Sequence, residues 1–321
     1  MIPKIIHYCW FGGNPLPALT QECIASWRKY LPDYEIWEWR EEASLPALPN
    51  RESASPKRET LADKVMGFDV DSIPYTAEAY RQKKYAFVSD YARFYIIYKY
   101  GGIYFDTDVE VIGGPSRPPQ GEESDTPLGL PVLDGLPMSG FMGFEQDPDG
   151  ENTPGRYAPR YCFAINPGLG FGMTKEHPFM KQMMEHYHGL KFEPIPNGDI
   201  AWYKTIVAYT TEKLMEQKPP LTPPKGENFR MSGWFKQSRY GEIQMVGDGI
   251  YVYPSEYFAP INAISGRLHI TENTRTIHRY AGSWINGGSK SWKNIIRHYI
   301  PEWLYFLNNR LKRRKYRVCE D

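Results

Sequence analysis

The stretch from Ala79 to Val111 constrains the fold more than any other part of this sequence. From Ala79 to Tyr100 the pattern is helical, with Ala86, Asp90, Arg93 and Ile97 recurring at steps of four, three and four on one stripe. Gly101-Gly102 supplies the left-handed residue that ends such a helix. Ile103 to Val111 then alternates like a strand and stops at Gly113-Gly114-Pro115. Period-2 alternation puts Tyr104, Asp106 and Asp108 on one side of that strand, near its end. A helix that passes through a glycine pair into an acid-bearing strand belongs in an α/β sheet, where ligands bind beyond the carboxyl ends of the strands.

The N-terminal region carries the same grammar. Lys4 to Phe11 is a short apolar run closed by Gly12-Gly13-Asn14-Pro15, Leu19 to Tyr30 is helix-like, and Tyr34 to Trp39 alternates as a second strand. Strand, helix, strand is the order of a parallel α/β unit. Residues 40–78 are polar and turn-rich, and no element is assigned to them. Later strands are expected at 141–144, 161–171, 249–253 and 276–280, and helices at 180–188 and 203–217. Pro- and Gly-rich loops are expected at 113–137, 145–160 and 218–228. With no internal repeat visible, residues 1–288 read as one α/β domain, a central mixed sheet flanked by helices.

Residues 289–321 read as a helical tail, with Ile296, Ile300, Trp303, Leu307 and Leu311 at helical spacing ahead of a basic cluster from Lys312 to Arg317. Two readings stay open. Residues 295–317 can dock on an anionic membrane surface, or the stripe can pack on the domain while its charges stay solvated.

Charge and cysteine usage narrow the class. Lys and Arg number 38 and Asp and Glu 38, so the chain has no overall field to attract nucleic acid. Cys9, Cys23, Cys162 and Cys319 are scattered, without the close pair a structural zinc site uses, and read as free thiols. The N-terminus lacks a signal-peptide pattern, and no segment approaches the roughly 18 apolar residues of a spanning helix. The expected location is cytoplasmic, with peripheral contact on the inner membrane face as the variant that a docking tail implies.

An Asp-x-Asp triplet alone says little, because the chain has three: Asp69-Val70-Asp71, Asp106-Thr107-Asp108 and Asp147-Pro148-Asp149. The first and third lie in turn-rich stretches, where short acids make turns and caps. The second follows an apolar strand, where two carboxylates form a hard-oxygen site for Mn²⁺ or Mg²⁺, whose shell a substrate diphosphate completes. A capped loop with solvated acids is its bland counterpart. Asp90 and Arg93 on an inward stripe add weight, since an ionic pair is rarely chosen over apolar side chains for stability. Ligand contact explains the placement, and a structural salt bridge is the alternative.

Three blocks together resemble glycosyltransferase family 32: Ile2-Pro3-Lys4-Ile5-Ile6-His7-Tyr8-Cys9-Trp10-Phe11-Gly12-Gly13, Ala86 to Arg93, and Tyr100-Gly101-Gly102-Ile103-Tyr104-Phe105-Asp106-Thr107-Asp108-Val109. That family holds bacterial capsular and surface polysaccharide transferases and the yeast initiating α-mannosyltransferase, and is related to clostridial toxin glucosyltransferase domains. The resemblance is dense over about the first 112 residues and sparser at Thr276-Ile277-His278 and Ser283-Trp284.

The resemblance implies a GT-A fold and retaining transfer of a sugar from a nucleotide-diphosphate donor. Trp10 would stack on the base, Asp90 and Arg93 would hold sugar hydroxyls and phosphate, and Tyr104 would line the donor pocket. Asp106 would meet ribose and metal-bound water, Asp108 would bind the metal, and His278 would be a further metal ligand. Ser283 and Trp284 would close over the diphosphate. Asn197 and Asp199 are acceptor candidates by their polar loop alone.

A UDP-sugar is the favoured donor, with GDP-mannose as the other candidate. A glycan or lipid-linked glycan of surface polysaccharide synthesis is the expected acceptor. Two rivals remain at this stage. A sugar nucleotidyltransferase needs a basic Gly-rich phosphate loop, and Trp10-Phe11-Gly12-Gly13-Asn14 has no Lys or Arg. A non-catalytic carbohydrate-binding protein has no need of Ser89-Asp90-Tyr91-Ala92-Arg93.

Overall fold

The computed structural model describes residues 1–42, 61–113, 139–145, 165–193, 205–217, 241–247, 249–261 and 267–281. Among the described residues, ten strands run in chain order as β1 (Ile5–Cys9), β2 (Glu35–Glu41), β3 (Lys64–Phe68), β4 (Gly102–Tyr104), β5 (Val109–Val111), β6 (Gly140–Gly143), β7 (Phe171–Met173), β8 (Gln244–Val246), β9 (Ile250–Tyr253) and β10 (Thr276–His278). The helices are α1 (Ala18–Tyr30), α2 (Pro74–Arg81), α3 (Tyr85–Tyr100), α4 (Pro178–His188), α5 (Ile206–Met215) and the single turn α6 (Ser255–Phe258). Eight strands form a mixed sheet in the order β3-β2-β1-β4-β7-β6-β9-β8, and β10 pairs with β5 in a small second sheet.

The expected mixed α/β sheet flanked by helices is what the chain forms. β1 pairs in parallel with β2 and β4, β2 with β3, and β6 with β9, while β7 and β8 run against their neighbours. The carboxyl ends of β1, β2, β3, β4, β6 and β9 therefore share one edge, where the chain repeatedly leaves the sheet. Alternation along β1 divides the core. Ile6 and Tyr8 join the apolar layer that includes Ile24 and Trp27 of α1, and Cys9 joins the layer built with α2 to α5.

Four expectations need correction. Ile103 to Val111 is not one strand: β4 ends at Tyr104, and the chain turns, with the Val109 N–H donating to the Asp106 carbonyl, before β5 begins in the other sheet. Tyr104, Asp106 and Asp108 consequently do not share a strand face. The reason lies in α1, where the Trp27 indole N–H donates to the Val109 carbonyl at 2.7 Å and Ser26 Oγ accepts from the Val111 N–H at 2.9 Å. These bonds draw β5 away from the main sheet.

The helix expected over 79–100 is two helices, because Lys83 adopts φ 58° and reverses the chain between α2 and α3. Residues 40–78, left without elements, hold β3 and the start of α2. β3 is an edge strand with mostly half-buried residues, so it lacks a clear apolar alternation. The strand expected over 161–171 reduces to a bridge at Ile165, a 3-10 turn at Pro167–Leu169 and β7 from Phe171, with 161–164 outside the described residues. β8 and α6 are short elements that periodicity does not reveal.

α3 ends as expected at Gly101, whose φ of 67° permits the turn into β4. Gly102 follows at φ 102°, where a Cβ would come 2.6 Å from the Ile5 carbonyl oxygen. Both glycines allow β4 to lie beside β1, and the join is closed by His7. The Trp39 indole N–H donates to His7 Nδ1 at 3.1 Å, and His7 Nε2 donates to the Gly101 carbonyl at 2.9 Å. These partners require the neutral ring protonated on Nε2, since a second proton on Nδ1 would face the indole donor.

Burial lowers the His7 pKa to about 4, against the opposing hydrogen bond to Gly101. The unfolded chain therefore binds a proton that the folded one refuses, so the contribution is complete above the unfolded value and is lost as pH falls toward 4. Urea unfolding should show that His7 removes about 2 kcal/mol of stability between pH 7 and pH 5. His7→Phe should flatten that part of the slope, and a wild-type-to-variant difference that is constant with pH would contradict the assignment.

Candidate active site at the carboxyl edge of the sheet

α3 carries apolar residues around most of its circumference because it lies between the sheet and α2 and α4. The Asp90 and Arg93 side chains are drawn in with them: Arg93 is 3% exposed and Asp90 7%. A guanidinium cannot shed its proton, so a buried Arg must find acceptors in place. Arg93 Nη2 donates to Asp90 Oδ1 at 3.2 Å, its Nε donates to the Ser89 carbonyl at 3.0 Å, and its Nη1 lies 3.2 Å from Asp106 Oδ1. Beneath it the Tyr104 ring centroid is 4.7 Å from the guanidinium carbon.

Burial opposes the Arg93 charge, but Asp106, Tyr104 and Asp90 together hold its pKa above the ordinary value. Burial pushes the Asp90 carboxyl upward against the pull of Arg93. The first part of the site is thus a fixed cation between two acids, with Asp106 the more exposed of them.

The second part is made where the two sheets meet. β10 runs antiparallel to β5 with His278 opposite Val109, and the Arg279 N–H donates to the Asp108 carbonyl. Arg279 Nε also donates to Glu110 Oε2 at 2.7 Å. This pairing brings His278 Nε2 to 3.2 Å from Asp108 Oδ1, while Asp108 Oδ2 accepts from the Ala281 N–H at 2.8 Å. Burial raises the Asp108 carboxyl, but the His278 charge, its hydrogen bond and the Ala281 N–H outweigh that and hold it below the usual range. Burial lowers His278, and Asp108, Asp106 and Glu145 more than reverse it. His278 Nδ1 is buried with no hydrogen-bond partner among the described residues.

A third wall comes from β6 and the turn before β7. Glu145 follows β6, and its Oε1 accepts from Asn166 Nδ2 at 3.0 Å. Asn166 Oδ1 in turn accepts from the Gly168 N–H at 2.7 Å, capping the 3-10 turn. The Gly168 carbonyl accepts from the Asp106 N–H at 3.2 Å, and a Cβ on Gly168 would stand 2.1 Å from Asp106 Oδ2. Burial raises the Glu145 carboxyl against His278 and Asn166, with Asp106 and Asp108 adding to the rise. Glu145 and Asn166 escaped the sequence reading because Glu145 opens a stretch taken as loop and Asn166 lies in the middle of one taken as strand, with no motif around either.

The donor chemistry of this edge fits a hard divalent ion. Asp108 and His278 present oxygen and nitrogen side by side, with Asp106 next in the chain. Among the described residues no three His, Cys, Asp or Glu groups form a complete cage. A small ion of this class ordinarily takes one or two carboxylates and fills its shell with phosphates and water, so an incomplete protein set is compatible with it.

Of the other expected site residues, Trp10 is partly exposed just beyond β1, on the same edge, with its indole N–H donating to the Asn14 carbonyl at 2.7 Å. Tyr104 is 1% exposed and lies under Arg93, so its ring supports the guanidinium from below. Ser283, Trp284, Asn197 and Asp199 lie outside the described residues, as do Cys162, Cys319, the Asp147-Pro148-Asp149 triplet and the tail from 289. Asp69-Val70-Asp71 is the turn it was read as, with Asp69 Oδ1 accepting from the Asp71 N–H at 3.0 Å. No helix among the described residues is long and apolar enough to cross a membrane.

Comparison with known proteins points to the same segment. Residues 17–123 match the family model described as "Glycosyltransferase sugar-binding region containing DXD motif". Inositol phosphoceramide mannosyltransferase 3 of Schizosaccharomyces pombe is 34% identical over 110 residues, 34% of this chain and 24% of the relative. The chain thus spans about a quarter of the length of that curated relative. Among solved structures, PaToxG glycosyltransferase covers 59% of this chain and 62% of its own at 17% identity and a TM-score of 0.34. The galactosyltransferase LGTC, in complex with donor and acceptor sugar analogues, covers 59% and 66% at 15% identity and a TM-score of 0.27. Likenesses this loose carry no argument about chemistry. The segment that supplies Asp90, Arg93, Asp106 and Asp108 is the one similar to this family of sugar-binding regions, since all four lie within residues 17–123.

Proposed function

We propose that this protein is a metal-dependent glycosyltransferase that transfers a sugar, with retention, from a nucleotide-diphosphate donor to a glycan or lipid-linked glycan. The observation that carries the reading is the buried Arg93 held between Asp90 and Asp106 at the carboxyl edge, beside the Asp108 and His278 pair. A nucleotide sugar needs fixed positive charge at its diphosphate and hydrogen-bonding groups at its sugar, and this edge holds both. A nucleotidyltransferase or a carbohydrate-binding protein has less use for the arrangement.

The residues divide the work as follows. Trp10 offers a ring for the base at the end of β1. Arg93, locked by Asp90, the Ser89 carbonyl and the Tyr104 face, keeps its charge in place and has no reorganisation to undergo when the diphosphate leaves. Asp108 and His278 would hold Mn²⁺ or Mg²⁺, with Asp106 beside them, and the ion would supply charge to offset that of the leaving nucleoside diphosphate. Ser283 and Trp284 close over the diphosphate, and residues 295–317 carry the enzyme to the membrane face that holds a lipid-linked acceptor in surface polysaccharide synthesis. A UDP-sugar is the first donor to test. GDP-mannose is the second, because the relative in fission yeast is named a mannosyltransferase.

Released nucleoside diphosphate, measured with Mn²⁺ across UDP- and GDP-sugars, is the direct assay; glycan binding without any nucleotide requirement would refute the enzyme. Asp108→Asn should lower turnover by about 100-fold or more and abolish Mn²⁺-dependent binding of UDP or GDP in calorimetry. Near-normal turnover there would remove Asp108 from the site. Arg93→Lys keeps the charge but loses the three-way fork, and kcat should fall by about 100-fold. Gly168→Ala drives a methyl into Asp106 Oδ2, so it should weaken metal-dependent nucleotide binding several-fold while leaving the fold intact by circular dichroism. Unchanged affinity would mean that this turn does not shape the site.

A further inference from the structure

Glu145 is a carboxylate at the candidate site for which the reading so far has no use. It stands two residues after β6, on the same edge as Asp106, and remains partly exposed. Its Oε1 is tied to Asn166 Nδ2 at 3.0 Å, and no hydrogen bond to Oε2 occurs among the described residues. Asn166 spends its other end on the Gly168 N–H, and Gly168 binds the Asp106 N–H through its carbonyl. A continuous line of bonds therefore runs from the Asp106 backbone through Gly168 and Asn166 to one oxygen of Glu145, leaving the other oxygen to accept. Packing alone has no use for a half-buried carboxylate fixed in this way, since taking its charge out of water is costly.

The ligand chemistry follows from what a carboxylate can do. It only accepts hydrogen bonds and it repels phosphate, so it does not serve the diphosphate. Sugar hydroxyls are donors, and the sugar joins the donor at the phosphate that Asp108 and Arg93 serve. The edge then divides its chemistry: Arg93 and His278 toward phosphate, Glu145 toward hydroxyls.

We propose that Glu145, oriented by Asn166, accepts hydrogen bonds from hydroxyl groups of the sugar to be transferred. Glu145 touches the sugar; Asn166 is a positioning residue that acts through Glu145. The inference rests on the glycosyltransferase reading above, and it assigns to the donor sugar a contact that the DXD segment does not supply, since Glu145 and Asn166 both lie outside residues 17–123.

Two ligands separate the roles, because a nucleoside diphosphate carries everything except the sugar. Wild type, Glu145→Gln, Glu145→Ala and Asn166→Ala are titrated with UDP and with GDP in the presence of Mn²⁺ by calorimetry, and their thermal melts are recorded. Turnover is followed on the best donor from the screen. Glu145→Gln keeps an acceptor for Asn166, and its melt and its nucleoside diphosphate affinity should match wild type. Its kcat/KM for the nucleotide sugar should fall by about 10- to 100-fold, the loss of a hydrogen bond to a charged group. Asn166→Ala should lower the same ratio by less, and the double variant with Glu145→Ala should be no worse than Glu145→Ala, as expected if Asn166 acts only through Glu145.

Turnover of Glu145→Gln within about twofold of wild type would overturn the inference. So would a parallel loss of nucleoside diphosphate binding, which would place Glu145 at the metal or the phosphates. Wild type that binds no nucleoside diphosphate and turns over no donor would overturn the glycosyltransferase reading and this inference with it, a result distinct from either of the first two.

Discussion

The architecture of the candidate site depends on one buried charge. Arg93 is 3% exposed, and a guanidinium so placed must be neutralised and hydrogen-bonded where it stands. Removing one partner of such a pair costs about 3–5 kcal/mol because the other charge is left uncompensated. Asp90 is one turn earlier on α3 and can satisfy only part of the fork. From outside the helix, Asp106 after β4 faces Nη1 as an ion pair and the Tyr104 ring lies below, while Nη1 itself makes no hydrogen bond among the described residues. The helix and the strand that follows it are joined at their far end by Gly101-Gly102 and along their length by this cation, so the position of Asp106 is set from both directions.

Asp108 answers to a different constraint. Two residues after Asp106 the chain belongs to another sheet, because Trp27 and Ser26 of α1 hold β5 and β10 pairs with its free side. The two acids of one triplet are thereby given separate partners, Arg93 for Asp106 and His278 for Asp108. A straight strand would have put both on one face with the same surroundings. The turn between β4 and β5 carries the two acids to these different partners, and the Asn166-to-Gly168 turn bonds the Asp106 backbone at one end and Glu145 at the other.

Much of this was legible in the residues. Helical spacing placed Asp90 and Arg93 on an inward stripe, and the structure buries both. Gly101 stood where α3 had to stop, and alternation marked β1 and β2 as a parallel pair around α1. The residues between β2 and α3 were not legible, since an edge strand with half-buried side chains and a helix broken by a left-handed Lys83 leave no long period to read. Glu145 and Asn166 were invisible for another reason: their significance is a hydrogen bond across 21 residues, which no local pattern records.

Local pattern by itself determined the α/β class and the inward placement of the Asp90 and Arg93 pair, because these follow from spacing along a single helix or strand, whereas the choice of Asp106-Thr107-Asp108 over two other acidic triplets also drew on that pair and on the family resemblance. Tertiary structure alone decided that the triplet bends between two sheets, that His278 meets Asp108 and that Glu145 is tethered to Asn166 beside them. Those contacts join residues up to 170 positions apart, as between Asp108 and His278, and only the packing of α1 against β5 and the pairing of β10 bring them together.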